Sequence, residues 1–414
     1  MLTLLLITGT LFAGLMMTRL TDFFKLPDVT AYLIVGVIIG PSVLGKFGID
    51  GFGFVSFEEV QSLSIISDVA LGFIAFSIGN EFEISNLKKI GRQAFIIGIL
   101  QAVITTIVVD LILCIVHIYK PSLVTIPVAI TLGAIAAATA PAATLMVVRQ
   151  YKAEGEVTDI LLPVVALDDA VGLMIFAVSF GAAQSMEAGN SNIANFVVEP
   201  LLEIVFSLCL GVLVALVLTH LAVYFHSNMN KLILIIASII LTVAISKVSF
   251  VINDFKVSFS PLLVCMMLGT VFCNICETAD ELIDRANRWG TPLIVLFFVL
   301  SGAELDLSIL GYSEVIIVGI IYILARSFGK YFGARISAKI AGSSESVKKY
   351  LGITLLPQAG VALGMSSLVA NSFGESGVII RNIVLFGVLI YELIGPTLTK
   401  VALIKAGDIK NKNG

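Results

Sequence analysis

Long apolar runs, separated by short charged or Gly/Pro-rich stretches, follow one another along almost the whole chain. Cutting at those breaks gives thirteen candidate spans, near 2–20, 28–45, 61–80, 92–118, 124–148, 157–183, 195–223, 230–248, 257–277, 290–306, 313–341, 349–371 and 378–404. Roughly 18 or more apolar residues are enough to cross about 30 Å of hydrocarbon as a helix. A helix also satisfies its own backbone polar groups, as lipid demands. The pattern predicts an all-α polytopic membrane protein with thirteen transmembrane helices.

Composition agrees with that picture. Of 414 residues 58% are hydrophobic and 13% charged, against about 25% charged in an ordinary soluble chain. The net charge of −4 points to no nucleic-acid partner. Cys273-x-x-Cys276 stands alone, without the second pair of a zinc site, so no cofactor is expected. The first span lacks a basic leader and a small-residue cleavage site, so it reads as a membrane helix rather than a signal peptide. With the amino terminus outside, eighteen Lys and Arg fall on the cytoplasmic side and five on the outer side. The excess of basic residues inside sets the orientation: amino terminus out, carboxyl terminus in the cytoplasm, in the cytoplasmic membrane.

Two stretches repeat. "FSIGNEFEISNL" (76–87) and "VLSGAELDLSIL" (299–310) align when shifted by 223 residues, pairing Gly79 with Gly302 and Glu81 with Glu304. The same shift carries Asp169 onto Glu392. The copies end spans three and ten, an odd number of spans apart, so they run oppositely through the bilayer. The expectation is two six-helix inverted-topology repeats joined by a linker helix, as in secondary transporters. A helix-exit signal that occurs twice by chance is the alternative. Spans five and twelve each carry a central break. These are "AAATAPAAT", with Thr139, Ala140 and Pro141, and "LLPQAGVALG", with Pro357, Gln358 and Gly360. Proline removes a donor and clashes with the preceding turn, so two interrupted helices are expected to cross at the midplane.

Asp168 and Asp169 sit side by side at the midpoint of span six, and Arg326 at the midpoint of span eleven. A charge at the bilayer centre costs about 2.5–3.5 kcal/mol on the insertion scale. Neighbouring helical residues are about 100° apart, so one acid can face the arginine and the other the crossing. The acid without a fixed partner would take up either a proton or a small cation, and exposure to each side in turn makes that competition an exchange. A buried ion pair with only a structural role is the bland reading. Glu81 and Glu304 either line entry funnels or mark helix exits, and His117, His220 and His226 lie at span ends. Gly36-x-x-x-Gly40 is expected to pack inside the protomer.

At these residues the chain resembles the monovalent cation:proton antiporters of the second branch, which holds bacterial sodium/proton exchangers and potassium-efflux antiporters. The likeness rests on "KLPDVTAYLIVGVIIGPSVLG" (25–45), "ALGFIAFSIGNEFEI" (70–84), "TAPAATLMVVRQ" (139–150), "DD" (168–169), "PLIVLFFVLSGAELDL" (292–307), "ARSFGKYFGA" (325–334) and "LPQAGVALG" (356–364). It implies a homodimer, with dimerisation parts at 1–90 and 227–310, core parts at 91–190 and 311–406, a linker helix at 191–226 and a cytoplasmic tail at 407–414. It also implies that Asp169 binds the transported cation (sodium favoured, potassium the alternative) or the proton. Asp168 would pair with a basic residue, Arg326 or alternatively Lys330, and Thr139 would coordinate the ion. Arginine effectively never loses its proton, so electroneutral one-for-one exchange is expected. A cation channel is the rival class. An intramembrane protease would need its two aspartates on different helices. Whether a separate regulatory subunit binds is not encoded in these motifs.

Overall fold

The computed structural model describes residues 2–23, 28–49, 51–80, 82–84, 91–121, 123–140, 144, 147–148, 151–187, 193–248, 250–252, 255–257, 259–276, 278–308 and 313–409. Apart from a hairpin of two three-residue strands, β1 (Phe250–Ile252) and β2 (Phe255–Val257), the described chain is helical. The helices are α1 (Leu2–Phe23), α2 (Asp28–Ile39), α3 (Phe57–Gln61), α4 (Ser64–Asn80), α5 (Arg92–Tyr119), α6 (Ile126–Ala136), α7 (Glu156–Glu187) and α8 (Ile193–Val223). They continue with α9 (Asn228–Ser246), α10 (Pro261–Ile275), α11 (Ala279–Ala303), α12 (Ser313–Ile340), α13 (Glu345–Thr354), α14 (Gly360–Ser372) and α15 (Gly374–Ala406). Seven described helical stretches are long and apolar enough to cross a membrane: those of α1, α5, α8, α9, α12 and α15, and α2 with the turn after it. Shorter apolar helices include α4, α6, α10 and the second half of α7. The chain is thus a multi-pass membrane protein, and α6 and α13 stop short where the sequence places its two breaks.

The chain divides into two compact units. One holds residues 1–61, 90–176 and 298–414, the other residues 62–89 and 177–297. The sequence-based boundaries fall elsewhere, assigning 1–61 and 298–310 to the dimerisation parts. The first unit has an apolar core of Ile97, Leu161, Val164, Ala334, Leu351 and Leu403, drawn from α5, α7, α12, α13 and α15. The second is built around Phe73, Phe76, Leu218, Ile239, Leu268 and Phe272.

Glycines set the closest helix approaches. In the first unit, a Cβ on Gly36 of α2 would overlap the Val299 carbonyl and come within 2.9 Å of Gly302 Cα. Gly36 therefore packs against α11 within the chain, as the sequence spacing suggests. In the second unit Gly79 of α4 meets Gly269 of α10 in the same manner. Gly79 and Gly302, which align when the sequence is shifted by 223 residues, thus both sit at backbone-to-backbone contacts where lipid-embedded helices favour small residues.

The last described turn clasps the start of α7. The buried Asp408 carboxylate accepts from Thr158 N at 2.7 Å and Thr158 Oγ1 at 2.9 Å, and Glu154 N donates to the Asp408 carbonyl at 3.0 Å. It satisfies a first-turn donor of α7 that has no partner within the helix and sits at the positive end of the helix dipole. Gly155, at φ +157°, leaves the room: a Cβ there would overlap Asp408 Oδ1.

Candidate functional site

The two breaks meet in the first unit. After α6 ends, the Ala140 amide donates to the Pro357 carbonyl at 2.9 Å, so the open segments on either side of the crossing are tied by backbone. A helix that stops inside a membrane leaves its last carbonyls without partners, and such groups must be satisfied by protein or water. Here side chains do so. Gln358 Nε2 donates to Ile135 O at 3.0 Å. Arg326 donates to Ala136 O at 3.1 Å, to Ala138 O at 2.7 Å and, from the far break, to Leu356 O at 2.6 Å. Thr144 Oγ1 reaches Thr354 O at 3.1 Å and Thr139 Oγ1 lies 3.4 Å from Leu355 O. The Arg326 guanidinium also stacks 4.5 Å from the centre of the Tyr391 ring. It is fully buried and bridges the negative ends of two half-helices.

That placement corrects the expected pairing of Arg326 with Asp168. The partner is Lys330, the alternative, one turn further along α12. Its Nζ lies 2.8 Å from Asp168 Oδ2, with both side chains fully buried. Depth in the membrane favours Arg326, but depth ignores the carbonyls that the breaks set free. The five-donor guanidinium fork matches several carbonyls at once, while the compact ammonium suits one small pocket. Lys330 Nζ also donates to Gln101 Oε1 at 3.1 Å, to Thr139 Oγ1 at 2.8 Å and to the Ala137 carbonyl. Asp168 receives two further hydrogen bonds, from Thr139 Oγ1 to Oδ2 and from Gln101 Nε2 to Oδ1. Its charge is thereby matched by a base and its oxygens by three donors.

Close approach of α12 to α5 makes the cluster possible. A Cβ on Gly329 would lie 3.1 Å from Thr105 Cα, and one on Gly333 would lie 3.0 Å from Gln101 O. These two glycines flank Lys330 in sequence and let its side chain enter beside Gln101.

The remaining predicted residues separate into groups. Thr139, Ala140, Pro357 and Gln358 are buried at the crossing, and Gly360 opens α14 beside it. The Thr139 hydroxyl bonds within the Asp168–Lys330 pair. Asp169 lies in α7, but its side chain is outside the described residues, as are Pro141 and Glu81. Glu304 forms an ion pair with Arg381 at 3.3 Å, away from the crossing. Glu392 is buried on α15, where Thr30 Oγ1 of α2 lies 3.3 Å from its Oε2. Gln101, Tyr322 and Tyr391 were not anticipated. Gln358 meets the Tyr322 hydroxyl at 3.1 Å, and the Tyr391 hydroxyl donates to Ile323 O at 2.7 Å. The one signal for Gln101 is an amide in the middle of the mostly apolar α5.

The chain is similar to known transporters over most of its length. The high-affinity Na(+)/H(+) antiporter NhaS3 of Synechocystis sp. is 24% identical over 382 residues, covering 84% of this chain and 78% of that protein. Cation/H(+) antiporter 19 of Arabidopsis thaliana is 30% identical over 86 residues, 20% of this chain and 11% of that protein. The solved structure of the sodium proton antiporter MjNhaP1 from Methanocaldococcus jannaschii at pH 8 has the same fold, with a TM-score of 0.76 at 18% identity over 96% of this chain and 97% of that one. The family described as "Sodium/hydrogen exchanger, transmembrane" matches residues 6–405. With that match running through both breaks, the paired acids and Lys330, the chain belongs to the sodium/hydrogen exchanger family of monovalent cation:proton antiporters.

Proposed function

We propose that this protein exchanges a monovalent cation, with sodium favoured, for H⁺ across the cytoplasmic membrane, and that the two compete for Asp169. One observation carries the assignment: Asp168 is held by Lys330, Thr139 and Gln101. Its charge is already matched, so of the adjacent pair Asp169 is the acid left to do the exchange. Two half-helices meeting at the crossing supply carbonyl oxygens and dipole ends, the materials from which transporters build cation sites.

In this reading the amino terminus faces out, thirteen spans form two inverted repeats, and a homodimer forms through residues 1–90 and 227–310. The core, 91–190 and 311–406, carries Asp169 between the two faces as an elevator. The paired glycine contacts at Gly79 and Gly302 support the repeat. One H⁺ moves per cation. Electroneutral exchange requires the base paired with Asp168 to keep its charge through the cycle, a role that falls to Lys330 and not to Arg326. The Lys330 ammonium has four acceptors for three protons, namely Gln101, Ala137, Thr139 and Asp168.

The test is a pH gradient across proteoliposomes, with sodium, lithium, potassium or rubidium added in turn and charge movement recorded. Sodium should dissipate the gradient without net charge transfer, and Asp169→Asn should abolish the response. Potassium activity alone would make this a potassium/proton antiporter. Flux that survives Asp169→Asn at channel-like rates would overturn exchange.

A further inference from the structure

Helix α5 carries one acid that the exchange site does not use. Asp110 lies nine residues beyond Gln101, roughly 14 Å along the helix at 1.5 Å per residue. In the orientation proposed above, that is towards the outer face. Two polar atoms are stranded here. Asp110 Oδ1 and Thr106 Oγ1 are both buried with no hydrogen-bond partner among the described residues, and Thr106 is 7% exposed. Buried polar groups nearly always find partners, so a stranded pair on one helix face marks a place for water or a ligand.

The facing surface is shaped to admit the carboxylate. Gly133 of α6 sits opposite, and a Cβ there would overlap Asp110 Oδ1 and lie 3.2 Å from the Thr106 carbonyl. Gly133 is three residues before Ala136, whose carbonyl Arg326 holds at the crossing. The polar face also continues outward. Thr106, Asp110, Cys114 and His117 are spaced by four, four and three residues, which keeps them on one side of the helix. Cys114 is within electrostatic reach of Asp110, and His117 Nδ1 lies 2.7 Å from Val124 O near the helix end. The adjoining stripe, Ile107, Leu111, Ile115 and Ile118, about 100° round the helix, is exposed and apolar.

We propose that Asp110, with Thr106, is a relay station that passes protons between the outer surface and the crossing. This rests on the exchange reading above. The ligand chemistry favours H⁺ over the cation: a single carboxylate, a hydroxyl and a carbonyl followed by a thiol make a poor cage for a hard cation, which prefers several oxygens. In the step itself a proton arriving from the His117 end bonds to the Asp110 carboxylate and then passes inward through water to the Asp169 carboxylate, regenerating the Asp110 carboxylate. The titratable groups on its own helix are Cys114 and His117; of the helices packed against α5, α12 carries Tyr322, Arg326 and Lys330, all engaged at the crossing, α7 carries Asp168, held by Lys330, and α6 carries none. Gln101, on the inner side, joins this helix to the Asp168 cluster, and the Thr105 hydroxyl donates to the Gln101 carbonyl one turn back.

The test uses right-side-out and everted membrane vesicles containing full-length wild type, Asp110→Asn, Asp110→Glu, Thr106→Val and Asp169→Asn. Asp110→Asn should slow sodium-driven proton exchange about tenfold with the sodium KM unchanged. That is less than the hundredfold of a positioned general acid, because water can bypass one station. Asp110→Glu should restore most of the rate and Thr106→Val should fall between. A wild-type rate in Asp110→Asn overturns the relay, and so does a raised sodium KM at constant turnover, which would make the site a cation station. Equal loss in Asn and Glu variants together with lowered melting temperature also overturns it, as a packing role. Absence of exchange in wild type overturns the exchange reading and the relay with it, whereas wild-type exchange lost in Asp169→Asn upholds the reading whatever Asp110 does.

Discussion

Two carboxylates of the first unit are buried almost equally, and their surroundings treat them in opposite ways. Asp168, at 0% exposure, is met by an ammonium, a hydroxyl and an amide. Glu392, at 1%, has the Thr30 hydroxyl at 3.3 Å, and its Oε1 has no partner among the described residues. An ionised carboxylate without a partner is far costlier to bury than a neutral acid. The first environment supplies the partners a buried charge needs and the second supplies one hydroxyl. Burial alone therefore does not assign a role to a membrane acid; the donors around it do.

Breaking the charged environment should have the largest effect. Lys330→Met strands Asp168, and loss of one partner of a buried pair costs about 3–5 kcal/mol. Melting of the purified protein should drop sharply and exchange should vanish, while Lys330→Met with Asp168→Asn should recover part of the melting temperature. Asp168→Asn alone keeps shape but removes the charge from hydrogen bonds worth about 1.5–3 kcal/mol each, so a loss near 2 kcal/mol is expected in the same assay. At Glu392 the effects shrink. Thr30→Val removes one hydrogen bond, about 1 kcal/mol. Glu392→Gln keeps the shape and an oxygen to accept from Thr30, and should stay within about 0.5 kcal/mol. If Glu392→Gln destabilised the protein as much as Asp168→Asn, the contrast would be lost and Glu392 would have to be counted as a buried charge.

Much of this was legible in the sequence for a physical reason. Apolar runs of membrane length cannot be mistaken for loops, and prolines at matching depth predicted breaks that the structure brings together through Ala140 and Pro357. The paired base was misjudged because span position gives depth but not demand. Arg326 is drawn off by the carbonyls of Ala136, Ala138 and Leu356, groups every residue carries and no motif records. Gln101 and Asp110 escaped notice for a related reason. Both stand on the mostly apolar α5 outside any recognisable motif, and only the neighbouring helix backbones, close at Gly333 and Gly133, reveal their surroundings. The Gly36 contact, by contrast, could be read from spacing because small residues four apart have few other uses in lipid.

The clasp between Asp408 and Thr158 has a practical side. It couples the far end of α15 to the first turn of α7, so whatever is fused or docked just beyond Ile409 pulls on the rod that carries both central acids. A reporter appended there is a handle on the machine, and its attachment should be judged by turnover as well as by expression.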